Sequence, residues 1–201
     1  MEDYSAKLTA EPFLYNETMI IAKYIIGGES PEILKKRNKE ENLIKHKSIK
    51  SVERTNSPIF RRLGIMDETI LKDFVTSDID TSKHILLYAI MKTDRLVLDF
   101  IREVYKDKLL MRKEYIEKFD IDNWYEEKRI LSKSLSEKTD KTTAKLKQVI
   151  MKILADSGLV IKEKNRFKVV RPLLRESYIS LLDNYGDIEY AKAIGGLIWK
   201  V

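Results

Sequence analysis

Apolar residues recur at helical spacing along most of this chain and alternate in strand fashion only in one short stretch near the C-terminus. Between residues 11 and 26, Phe13, Leu14, Ile20, Ile21, Tyr24 and Ile25 cover most of a helix circumference. This predicts a buried helix, ended by Gly27-Gly28, as the hub of an N-terminal bundle. Ser30-Pro31-Glu32 supplies an N-cap, a proline at the first helical position and an acidic first turn. A second helix from about Pro31 then carries Lys35, Lys36, Arg37 and Lys39. Ser48 can cap a third, with Ile49 and Val52 inward. Ser57-Pro58 repeats the start signal and predicts a fourth helix to about Val75, burying Ile59, Leu63, Ile70 and Phe74. Three short helices with a basic third one outline a helix-turn-helix-like unit. From Thr81 to Tyr105 the chain is dense in Ile, Leu, Val and Tyr, and reads as two core helices broken at Thr93-Asp94.

The pattern is clearest in the last third. Leu109 to Phe119 and Asp122 to Leu131 read as two helices. Thr139 or Asp140 then caps another, in which Leu146, Val149, Ile150, Ile153 and Leu154 form an apolar stripe that Gly158 ends. Leu159-Val160-Ile161, a polar turn around Lys164-Asn165, and Phe167-Lys168-Val169-Val170 predict a β-hairpin stopped by Pro172. A helix followed at once by such a hairpin has the outline of a winged helix. The fold class expected is mainly α: an N-terminal helical bundle with a helix-turn-helix-like unit over residues 1–106, and a C-terminal winged-helix-like unit over residues 107–201. With 7 glycines and 4 prolines in 201 residues, no long flexible linker is visible.

Composition narrows the function. At 43% hydrophobic residues the chain can bury a real core, and the absence of cysteine excludes disulfides, thiolate metal sites and cysteine nucleophiles. Met1-Glu2-Asp3-Tyr4 does not read as a signal peptide, and the strongest apolar run, Met19-Ile20-Ile21-Ala22, falls far short of the ~20 residues that span a bilayer. A cytoplasmic protein without a membrane segment is expected. The net charge of +6 is modest, but its distribution is uneven. Lys35 to Arg62 holds 10 basic and 3 acidic residues, Lys128 to Arg171 holds 13 and 4, and the remainder is acidic by 25 to 15. Two positive blocks on an otherwise acidic chain suit a polyanion partner.

At 100° per residue Lys141, Lys145, Gln148 and Lys152 share the face opposite the apolar stripe. A helix entering the major groove needs cations flanking its base-reading positions, although lysines at this spacing also serve a plain solvated face. The adjoining hairpin adds Lys162, Lys164, Arg166 and Lys168, where a wing would contact backbone phosphates. Lys47, Lys50 and Arg54, with Arg61 and Arg62 nearby, form a weaker second face. Arg62 could equally be a structural partner for carboxylates. Of two histidines, His84 at the start of an apolar helix suits a structural role, and His46 and His84 are too few for a histidine-rich metal site. Asp120, Glu126 and Lys128 form a D-x5-E-x-K string loosely like that of metal-dependent nucleases, which place such residues on adjacent strands rather than on a helix. Phosphate-binding and nucleophile-elbow glycine motifs are absent, and Gly195-Gly196 has no helix following it. Trp124 and Trp199 could stack on bases, but burial is the commoner fate of tryptophan in a helical protein. No catalytic residues, metal ligands or cofactors are expected.

Short matches in order along nearly the whole chain carry a family resemblance. They are Tyr4-Ser5-Ala6-Lys7-Leu8-Thr9, Glu17, Glu41-Asn42-Leu43 before Ser48, Arg61-Arg62-Leu63 and Leu86-Leu87-Tyr88-Ala89. Asp94-Arg95-Leu96 with Asp99-Phe100, Thr142-Thr143 with Lys145-Leu146-Lys147-Gln148, and Ser157-Gly158-Leu159 complete the series. The chain resembles BrxA, a small component of the BREX phage-defence systems of bacteria. It departs from that pattern at His46-Lys47, where Lys-Arg would precede the serine. The resemblance implies a DNA-binding accessory protein, helical apart from a wing, working beside a methyltransferase and an ATPase, and it identifies no catalytic residues. Double-stranded DNA held mainly by its phosphates is therefore the leading expectation. The alternatives are a subunit whose basic faces dock an acidic protein partner, and a metal-dependent nuclease acting through Glu126.

Overall fold

Local signals place most of the helices where the periodicity puts them, and the departures have identifiable causes. In this computed structural model the described residues are Tyr4, Leu8, Thr9 and 11–195. The chain divides into two units, one of residues 10–93 and the other of residues 94–201 together with 1–9. The division thus falls at Thr93/Asp94, whereas the sequence reading drew it at 106/107.

The first unit holds α1 (Tyr15–Ile26), α2 (Pro31–Glu41), α3 (Ile49–Leu63), α4 (Glu68–Thr76) and α5 (Ile79–Thr93). The first helix begins four residues later than its apolar pattern suggested. Leu14 is left-handed, at φ 57°, and the segment before it is not helical. Its carbonyls are taken by a buried arginine, described below, and so are not available to a helix. Gly28, at φ 93°, turns the chain out of α1. Pro31 opens α2 as expected, and there the Ser30 hydroxyl donates to Glu32 at 2.6 Å.

The Ser57-Pro58 signal misleads. No helix starts there; α3 runs through Pro58 to Leu63, and Gly64 ends it. An internal proline forgoes one helical hydrogen bond and costs about 3 kcal/mol. Here Val52, Thr55, Asn56, Ile59, Arg62 and Leu63 keep one continuous buried face on both sides of it, which offsets that cost. Asp67 then caps α4 through the Ile70 amide at 3.0 Å. Ile59, Leu63, Ile70 and Phe74 are buried as expected, whereas Ile49 is 62% exposed in the first turn of α3. In α5 every residue from His84 to Met91 is buried.

In the second unit Asp94 caps α6 (Arg95–Phe100) through Val97, a π-helical turn follows over Ile101–Tyr105, and α7 (Lys106–Leu110) completes the rod. Leu109 to Phe119 is not the predicted helix. The chain leaves α7, turns through Arg112 at φ 54°, and forms β1 (Tyr115–Glu117). A three-residue strand carries too little alternation to be seen locally; its partner lies some fifty residues on. The second predicted helix is longer than expected, as α8 (Lys118–Leu131), and is opened by a capping box between Glu117 and Asp120. Then come α9 (Lys133–Ser136), α10 (Asp140–Asp156), β2 (Val160–Glu163), β3 (Arg166–Val169), α11 (Glu176–Asn184) and α12 (Ile188–Gly195). The sheet is antiparallel in the order β1-β3-β2, with Ile116 opposite Phe167 and Lys162 also opposite Phe167. Among the described residues no helix is long and apolar enough to cross a membrane.

Candidate nucleic-acid interface

Thr139 caps α10 by accepting from the Thr142 amide at 3.3 Å. The inner face buries Leu146, Val149, Ile150, Ile153 and Leu154, joined by Thr143 and Met151. Lys141, Lys145, Gln148 and Lys152 are all exposed on the other face. Lys145 donates to Gln148 Oε1 at 3.1 Å, and Lys152 pairs with Asp156 at 3.1 Å, one turn on. Lys147 belongs to neither face; it reaches Asp122 on α8 at 2.7 Å and lies over the Tyr125 ring.

Gly158, at φ 87°, turns α10 into β2, and Lys164-Asn165 makes the two-residue connection to β3. Lys162, Lys164 and Arg166 are exposed, while Lys168 is half-buried and pairs with Glu114 at 3.4 Å. Arg166 packs 3.6 Å over the Tyr115 ring and lies 3.6 Å from Glu163. Among the described residues Lys141, Lys162 and Lys164 make no ion pair, so these cations are available to an outside anion.

A groove of about 840 Å³ runs between α8, α10 and the hairpin and brings Gln148, Lys152 and Lys162 to one place. Lys118 and three carboxylates, Asp122, Glu126 and Asp156, line it too. Each carboxylate has a cation beside it: Lys147, Arg129 at 3.3 Å, and Lys152. These pairs reduce the repulsion that bare carboxylates would present to a polyanion. Lys164 and Arg166 line a separate recess with Glu117, Glu163 and Asn165.

In the first unit Lys47, Lys50 and Arg54 are exposed and make no ion pair among the described residues. Lys50 and Arg54 stand one turn apart on α3; Lys47 lies in the preceding loop. A network absent from the sequence reading fixes that loop. Asn42 donates to the His46 carbonyl at 2.7 Å and accepts from its amide at 2.8 Å. Asn38 Nδ2 donates to Asn56 Oδ1 at 3.0 Å, its Oδ1 accepts from the Ile44 amide at 3.2 Å, and Asn56 donates to the Lys35 carbonyl at 2.8 Å. Both asparagines are fully buried, so this ladder holds α2, the loop and α3 in register. The loop edges a recess of about 310 Å³ lined by Glu17, Ile44, Lys45, His46, Lys47 and Ser51, in which His46 Nε2 lies 3.4 Å from Glu17.

The two adjacent arginines hold the segment before α1. Arg61 pairs with Glu11, and Arg62, 1% exposed, grips backbone. It donates to the carbonyls of Pro12 and Phe13 at 2.8 and 2.9 Å and of Glu11 at 3.2 Å.

The D-x5-E-x-K string falls on α8, where Asp120 and Glu126 are about 240° apart around the helix. Asp120 bonds Lys108 at 2.6 Å and the Glu117 amide at 2.8 Å, and Lys128 reaches Glu103 at 2.6 Å. The string therefore does not converge. Among the described residues no three His, Asp or Glu side chains come together as a metal cluster. Trp124 is buried edge-on against Phe100, its indole donating to Glu103 at 2.7 Å, so it does not face a base. Trp199 and Gly196 lie outside the described residues. His84 is buried, and desolvation holds its imidazole below the ordinary range against the opposing charges of Asp80 and Asp78.

Comparisons with known proteins agree with this architecture. A crystal structure of an uncharacterized protein from Magnetospirillum magneticum superposes with a TM-score of 0.81 at 19% identity, over 96% of this chain and 98% of that one, and so shares the fold. The BREX protein BrxA of Bacillus cereus (strain H3081.97) is 28% identical over 193 residues, 96% of either chain. The sequence profile of the BrxA family matches residues 2–186, and the chain belongs to that family.

Proposed function

We propose that this protein is a double-stranded DNA-binding accessory component of a BREX-type phage-defence system. It acts in the cytoplasm beside the system's methyltransferase and ATPase and has no catalytic centre of its own. The observation that carries the reading is that Gln148 and Lys152 of the exposed α10 face and Lys162 of the hairpin line one groove within one structural unit. The order β1-α8-α9-α10-β2-β3 with sheet order β1-β3-β2 supports reading this unit as winged-helix-like. In that frame α10 enters the major groove and the hairpin is the wing on the neighbouring backbone. The Lys50 and Arg54 face of α3, with Lys47, is a second phosphate-contacting surface in the other unit.

Phosphate contacts dominate such binding, so sequence preference is weak overall and salt dependence steep. The test is anisotropy of a labelled duplex with purified protein in increasing salt. A protein making 6 to 10 phosphate contacts loses ~10³ to 10⁵ in affinity between about 50 and 200 mM salt. Lys141→Ala and Lys164→Ala should each weaken all duplexes alike and lower the salt slope by about 1. No binding at the lowest salt would overturn the reading and leave the basic faces to an acidic protein partner.

A further inference from the structure

We infer that Lys145 and Gln148 act together as a base-reading pair that selects adjacent guanine and adenine on one strand of the duplex. This rests on the proposed placement of α10 in the major groove. Within the exposed face of α10 only Gln148 carries both a donor and an acceptor in one rigid group; Lys141 and Lys152 offer donors alone. An amide in the major groove is complementary to adenine, accepting from N6 and donating to N7. Free rotation would let an amide present either end, but Lys145 Nζ donates to Gln148 Oε1 at 3.1 Å. That bond turns the amide oxygen toward Lys145. Guanine at the same position would set O6 against Oε1, two acceptors facing each other.

The donors and acceptors then match, with one Nε2 hydrogen left over for water. Of the three ammonium hydrogens on Lys145, one is held by Oε1, leaving two for guanine O6 and N7. Oε1 keeps one lone pair for adenine N6, and one Nε2 hydrogen donates to N7. Three residues along a helix advance about 4.5 Å, and successive base pairs of duplex DNA are about 3.4 Å apart, so the two side chains reach neighbouring pairs rather than the same one. Lys152 is drawn back to Asp156, and Lys147 to Asp122, so neither competes for these positions.

The experiment is selection of bound duplexes from a randomised pool by the full chain, followed by anisotropy on the enriched sequence. Enrichment of a guanine–adenine step is expected. Replacing its adenine by 7-deazaadenine, which lacks the N7 acceptor, should weaken wild-type binding about 2- to 12-fold. Gln148→Ala should lose the preference for adenine, bind the deaza and ordinary duplexes equally, and keep the wild-type salt slope. Salt-sensitive binding with no enriched step, or a deaza penalty unchanged in Gln148→Ala, would overturn the base-reading pair and leave phosphate recognition standing. Absence of any duplex binding by the wild type would overturn both.

Discussion

Single residues decide how each unit is locked, and the most constrained of them is Arg62. Its guanidinium is sealed in and satisfies three consecutive carbonyls, so Arg62→Met would bury them unpaired. A loss of about 1–3 kcal/mol is expected in urea unfolding; an unchanged midpoint would mean that the segment before α1 is held by something else. His84 sets a pH dependence. Burial lowers its pKa in the folded protein from the ordinary 6.5, so below that pH the unfolded chain binds a proton that the folded chain refuses. Its contribution is complete above pH 6.5 and is lost as the pH falls toward the lower folded value. The unfolding midpoint should therefore drop between pH 7.5 and 5.5, and His84→Gln should flatten that drop. The lysine stripe on α10 was legible in the sequence because a 3.6-residue period places it without tertiary information. The Asn38–Asn56 ladder was not: its partners lie 18 residues apart, and asparagine gives no sign of whether it is bonded to a turn or buried across two helices.

Among the elements, the caps at Ser48 and Thr139 and the glycine stops match the pattern, Ser30 makes no side-chain cap bond, and the larger errors came where a local signal met a stronger distant one. Ser57-Pro58 looks like a helix start, yet the buried face of α3 continues through it. Strand β1 left no trace because its geometry is supplied by β3, not by its own three residues. Its inward side chain, Ile116, is fully buried, and Ile116→Ala should cost about 2–5 kcal/mol in denaturant titration. Gly158 aims the β2–β3 hairpin. A Cβ there would meet nothing within 4 Å, so Gly158→Ala carries only the backbone penalty of φ 87°, about 1–2 kcal/mol. The expected result is a modest loss of stability accompanied by weaker duplex binding. Loss of stability with binding unchanged would show that hairpin orientation does not matter to the ligand.

For the whole molecule the net charge of +6 says less than its division into two positive blocks on an acidic remainder. A polyanion held by those blocks stabilises the folded state by mass action. Duplex at a hundredfold its dissociation constant should raise the unfolding free energy by about 2.7 kcal/mol at low salt, and the gain should fade as salt rises. Thermal shift with and without duplex measures it; a gain that persists at high salt would point to contacts other than phosphate. The order of the strands also imposes a schedule on synthesis. Glu117 pairs with Arg166 and Tyr115 with Lys168, so β1 leaves the ribosome about fifty residues ahead of the strand that completes it. At translation rates of about 5–20 residues per second the nascent β1 waits roughly 3–10 s without its neighbour, while α8 and α10 are already long enough to coil. Its edge is open during that interval, and Lys113, Glu114, Glu117 and Lys118 around it are the charges that would discourage another strand from pairing with it first.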